Sequence, residues 1–124
     1  MKEIALVFVG GGLGSVTRFL IGKAVVSRYA TLFPWATFGV NILASAVLGF
    51  MLAMYAKKPE GLQWAVLLIG TGFCGGLSTF STFSYENFSL LQKGETAMFL
   101  VYTIASFVAC LAGVAGGYFA ARSL

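Results

Sequence analysis

Four runs of about 20 mostly apolar residues fill this chain, with only short polar stretches between them. In lipid every backbone N–H and C=O must find a partner within the protein, so an apolar run of that length folds as a helix across the bilayer. The chain has 124 residues, 59% of them hydrophobic, and its mean hydropathy is +0.91. Four spans consume almost all of it, so residues 1–124 are expected to form a single four-helix transmembrane subunit with no separate soluble domain. Any function must therefore lie in or between the helices.

The first span is expected from Ile4 to Val26, and the second starts after Pro34, with Trp35 as an interfacial anchor, and reaches Tyr55. "AKKPEG" reads as a short polar turn. The third span begins near Leu62 and continues into "YENFSLLQKGE", and the fourth covers Thr96 to Ala121. The opening run resembles a signal peptide in position, but three adjacent glycines interrupt it and no small-residue cleavage site precedes Arg18, so a retained span is expected.

Charge is sparse and evenly divided. With the N-terminus, the turn between spans two and three and the C-terminus on one side, that side carries Lys2, Lys57, Lys58 and Arg122. The other carries Arg18, Lys23, Arg28 and Lys93. Such a balance gives no positive-inside preference, so the chain can insert in both orientations and pair antiparallel. No basic cluster suggests nucleic acid. Catalysis lacks its parts: there is no histidine, the four acidic residues are scattered, and the many hydroxyls have no base beside them. Cys74 and Cys110 stand in apolar surroundings without ligand spacing and read as ordinary thiols.

Small residues recur four apart in every span: Gly10 and Gly14, Ser45 and Gly49, Gly72 and Gly76, Gly113 and Gly117. Such pairs bring helix backbones close where lipid gives no hydrophobic drive. They serve packing within one chain or contact between chains equally well.

The unusual polarity lies in "GGLSTFSTFS", residues 75–84. Read as a helix, Phe80 and Phe83 share one face, Ser78, Ser81 and Ser84 a second, and Thr79 and Thr82 a third. Each hydroxyl alone can return to a backbone carbonyl. Together, after two glycines, they point to a break in the third helix whose freed backbone groups need partners in protein, water or an ion. A phenylalanine edge is electropositive, so the ring pair among hydroxyls can pack or can border a small anion without a formal charge to trap it.

Elsewhere Asn41 is a polar residue inside the second span, fit for a helix contact or for donating to an ion. Arg18 can snorkel or steer anions. Glu86 can neutralise a base, cap local polarity or influence access. Tyr102, Ser106 and Cys110, with Thr103 beside them, trace a mildly polar line along the fourth span.

Taken together, "GGGLGSVTRF", "FPWATFGVNILAS" and above all "GFCGGLSTFSTFSYE" resemble the Fluc or CrcB family of small fluoride channels along essentially the whole chain. The resemblance implies an all-α membrane protein with four transmembrane helices per chain, a break in helix 3, and a dual-topology antiparallel homodimer in the inner (cytoplasmic) membrane. It implies two fluoride pathways, passive export of fluoride that entered as hydrogen fluoride, hence fluoride resistance, and a structural sodium ion at the dimer interface. On that likeness Phe80 and Phe83 border fluoride and Asn41 donates to it. Thr37 precedes Asn41 in the polar region, Arg18 stands near the aqueous entrance, and Glu86 follows the helix 3 motif. Tyr102 and Ser106 match the polar track of the fourth helix, and Ser81 and Thr82 are counted with the pathway. Gly75 and Ser78 match the segment whose carbonyls cage sodium. Cys110 stands where some family members carry serine.

The competing reading is a small multidrug-resistance-like proton-coupled cation transporter. That chemistry asks for a membrane-embedded carboxylate in the first helix, which has none after Glu3.

Overall fold

The computed structural model describes residues 1–29 and 31–124. Residue 30, in the linker expected between the first two spans, lies outside the described residues. The described residues form helices and turns, and 4 stretches are long and apolar enough to cross a membrane. The first is α1 (Lys2–Val26), the second α2 (Trp35–Lys57) and the fourth α5 (Thr96–Arg122). The third, Gln63–Gln92, is two helices. Its first part, α3 over 63–77, consists of Gln63–Ala65, a π-helical stretch Val66–Cys74 and Gly75–Leu77, and its second is α4 (Phe80–Gln92).

The expected break is present, but not at the glycines. Gly75 is helical, with φ −64° and ψ −38°, whereas Ser78 (φ −74°, ψ 154°) and Thr79 (φ −150°, ψ 115°) are extended. Thr79 therefore does not continue the helical face of Thr82. It is the N-cap of α4, and its hydroxyl accepts the Thr82 N–H at 3.2 Å.

Of the two glycines, Gly76 belongs to helix packing instead, while Gly75 has nothing within 4 Å of an added Cβ. A Cβ on Gly76 would lie 2.3 Å from the Gly11 carbonyl oxygen, and one on Gly14 would lie 2.2 Å from that of Phe73. Thus α1 and α3 touch backbone to backbone. Gly72, within the π-helical stretch, and Gly76, after it, both face α1. A second such seam joins α2 to α5, where a Cβ on Gly49 would meet Val114 and one on Gly117 would meet Ala46. All four small-residue pairs therefore pack within the chain.

Along each seam the residue numbers rise together, so α1 and α3 run parallel, as do α2 and α5. The chain goes up, down, up and down. Lys57, ending α2, donates to the carbonyls of Ala121 and Arg122 at 2.9 and 3.1 Å, capping the end of α5. The turn between spans two and three thus lies beside the C-terminus, as the charge count assumed. Between α4 and α5, Gly94 takes φ +76°. The Glu95 N–H then reaches Leu90 and the Gly94 N–H reaches Leu91, a Schellman turn that needs a residue tolerant of positive φ.

The buried core is small: Val40 and Ala44 of α2 meet Cys74 and Leu77 of α3. Few large apolar side chains are fully buried, and many face outward, including Phe8, Phe19, Phe107 and Phe119. In water that surface would drive association, and in a bilayer it is the face turned to lipid and to other helices.

Candidate functional site

The site is built around the break between α3 and α4. Two extended residues remove the i+4 donors from the carbonyls of residues 75–77 and leave the first N–H groups of α4 without helical partners. Side chains from other helices take up several of these. Asn41 of α2 clasps the backbone of Thr79: its Oδ1 accepts the Thr79 N–H at 2.8 Å, and its Nδ2 donates to the Thr79 carbonyl at 3.4 Å. The Arg18 Nε donates to the Gly76 carbonyl at 3.1 Å. In a capping box the residue three positions into the helix would accept the cap N–H. That residue is Thr82 here, and Asn41 performs the task from a neighbouring helix.

The sequence left open whether Asn41 packs or donates to an ion. Its geometry serves both, since the clasp uses one amide hydrogen and the group has two. On one side of the clasp lies an uncharged groove of about 480 Å³, lined by Asn41, Ser78, Thr79, Phe80, Phe83, Thr103, Ser106, Phe107 and Cys110 among others. Phe80 and Phe83 stand together in it, with ring centroids 5.8 Å apart. Phe80 is 80% exposed on the single chain. Phe83 is partly covered and leans on Tyr102 at 5.1 Å. Ser106 is buried, and its hydroxyl has no hydrogen-bond partner. A buried hydroxyl without a partner is costly, which makes it available to an incoming ligand or water.

On the other side is a charged cleft of about 400 Å³, bordered by Arg18, Lys23, Thr37, Thr79, Thr82 and Glu86. Among the described residues only Thr79 lines both hollows, so the clasped residue is the wall between them. Glu86 is held at both oxygens: Oε1 accepts from the Thr37 hydroxyl and Oε2 from the Tyr102 hydroxyl, each at 2.7 Å. Tyr102 is fully buried, and its ring also meets Phe33 edge-on at 5.3 Å. The carboxylate of the cleft is thus held by two hydroxyls, while no charged residue among the described residues lines the groove.

The residues singled out from sequence therefore divide into sets. Asn41, Phe80, Phe83 and Ser106 surround the groove; Arg18, Thr37, Thr82 and Glu86 surround the cleft. Tyr102 lines neither hollow but joins their walls, bonded to Glu86 of the cleft and packed at a tilt against Phe83 of the groove. Ser81 lines neither: it is exposed, and its hydroxyl lies 3.3 Å from that of Thr79. Gly75 and Ser78 border a third hollow of about 370 Å³ with Ser45, Thr71 and Cys74. Its polar side chains are the hydroxyls of Ser45, Thr71 and Ser78 and the Cys74 thiol, set among apolar residues of α2 and α3; hydroxyl oxygens are hard ligands of the kind that suit an alkali cation. Among the described residues no cluster of His, Cys, Asp or Glu could bind a transition metal. Two features escaped the sequence reading, the role of Thr79 as cap and wall and the Asn87–Thr103 hydrogen bond. The spacing of Thr79 and Thr82 is that of an N-cap and its third helical residue, a signal the unbroken helical projection concealed.

The chain matches, over residues 5–118, the family described as CrcB-like protein, camphor resistance (CrcB). It is 40% identical over 124 residues to the fluoride-specific ion channel FluC of Aquifex aeolicus, covering 100% of both chains. It is 43% identical over 122 residues to the protein of that name from Pyrococcus furiosus, covering 98% of each. The corresponding protein of Bacteroides fragilis is 42% identical over 122 residues, with 95% of each chain covered.

Proposed function

The chain belongs to the CrcB-like family, and on that premise we propose how it works: it is a fluoride channel, a multi-pass membrane protein and not an enzyme. The observation that carries this reading is the nearly full-length match to proteins named for fluoride-specific conduction. The site supplies the physical means. Fluoride is compact and strongly hydrated, so a path for it must replace water stepwise with donors that bind briefly and release. The cleft offers Arg18 and Lys23 to draw an anion in. The groove beyond Thr79 offers the free amide hydrogen of Asn41, the Ser106 hydroxyl and the electropositive edges of Phe80 and Phe83. None of these carries a charge that would hold the ion.

The reading extends to a dual-topology, antiparallel homodimer in the inner membrane, with one path associated with each subunit and fluoride leaving passively down its electrochemical gradient. Two features favour it: the balanced charge of the loops, and the large apolar surface left by one small bundle. The exposed Phe80 then gains a second wall. A sodium ion at the dimer interface would take backbone oxygens of Gly75 and Ser78 and supply fixed positive charge near the paths. Exchange of cations for protons fits poorly, because Glu86 is tied to Thr37 and Tyr102 and α1 has no carboxylate after Glu3.

Purified protein in liposomes, with potassium clamped by an ionophore, is expected to release fluoride rapidly and chloride slowly. Failure of fluoride to leave from verified, folded protein would overturn the channel reading. Efflux that requires an imposed proton gradient would favour coupled transport.

A further inference from the structure

The contact between α4 and α5 contains a buried polar pair that the path residues leave unexplained. Asn87 is 7% exposed and lies one turn after Phe83, to whose carbonyl its Nδ2 donates at 3.0 Å. Its Oδ1 accepts the Thr103 hydroxyl of α5 at 2.9 Å. Both ends of the amide are engaged, one on its own helix and one across to the next. For adhesion alone an asparagine is a poor choice: leucine would fill the space with no polar group to satisfy, and hydrogen bonds between membrane helices add little net attachment.

What the amide adds is direction. The bond to the Phe83 carbonyl fixes the Asn87 rotamer, so Oδ1 meets Thr103 at only one rotation of α4 about its axis. The preceding residue repeats the arrangement, since Glu86 accepts from Tyr102. Two successive residues of α4, pointing about 100° apart, are therefore tied to two successive residues of α5. At that rotation the Phe83 ring rests on Tyr102 and, with Thr103, lines the groove.

We propose that Asn87 is a positioning residue for conduction: with Thr103 it sets the rotation of α4 and so holds the Phe83 ring at the working angle. The inference rests on the channel reading above. The test is fluoride and chloride efflux from liposomes containing wild type, Asn87→Leu, Thr103→Val, the double variant and Thr103→Ser, each checked for folding by thermal melting. Asn87→Leu and Thr103→Val are expected to lose about tenfold in fluoride efflux and to lower the fluoride-to-chloride ratio. The double variant should lose no more than either single one. Thr103→Ser, which keeps the hydroxyl, should stay within about twofold of wild type. Should Asn87→Leu fail to fold, Thr103→Val exchanges only a hydroxyl for a methyl and carries the test alone. Wild-type efflux and selectivity in Thr103→Val, or additive losses in the double variant, would overturn the positioning role while leaving the channel intact. No fluoride efflux from wild type itself would overturn both readings.

Discussion

The two halves of the third span adjoin in sequence and attach to the rest of the chain by different means. Before the break, α3 lies against α1 with backbones in contact, and Gly10, Gly14, Gly72 and Gly76 leave no room for a side chain between them. After it, α4 is held by side-chain hydrogen bonds: Asn41 to Thr79, Thr37 and Tyr102 to Glu86, and Thr103 to Asn87. Close packing of that kind has no second arrangement of similar energy and makes a rigid base. Polar ties leave donors, grooves and an unpartnered Ser106 hydroxyl where an ion can pass. The scaffold and the path thus share one span, divided at Ser78 and Thr79.

That contrast can be broken most severely in the first half. Gly76→Leu drives a side chain into the Gly11 carbonyl and is expected to destabilise by about 3 kcal/mol or more, enough to abolish folded protein in detergent. Recovery of a normal melting curve would refute the close seam. In the second half, Asn41→Leu removes the clasp on the α4 cap. It should lower stability by about 1–2 kcal/mol, as other lost caps do, and reduce fluoride efflux more than tenfold. Unchanged efflux would take Asn41 out of the path.

The two phenylalanines sharpen the comparison further. Phe83→Ile forfeits the packing on Tyr102 and should lose about 1 kcal/mol of stability together with efflux. Phe80→Ile, at an exposed position of the single chain, should lower efflux with the melting temperature of the subunit unchanged. Equal melting shifts for the two would contradict their different burial. The smallest change is expected for Gly12→Ala. Nothing lies within 4 Å of the added methyl, and helix propensity then favours alanine by about 0.5–1 kcal/mol. Loss of stability there would show that glycine is needed along α1 for some reason other than contact with α3.

By itself the sequence determined the number of spans, their order and, within two residues, most of their ends. Apolar runs of membrane length admit little else when the bilayer offers no hydrogen bonds. It also marked Asn41, Glu86 and the Phe80–Phe83 pair, because polar or clustered aromatic residues in an apolar span are rare enough to stand out. Only the tertiary structure decided the rest. The break lies after the glycines, at Ser78 and Thr79, because Asn41 and Arg18 arrive from α2 and α1 to take up the backbone groups that an interruption frees. Gly76 lies within the helix with α1 pressed against it, whereas Gly75, equally helical, has open space beside it. Helical periodicity describes one helix in isolation, and both outcomes depend on which neighbour stands beside it.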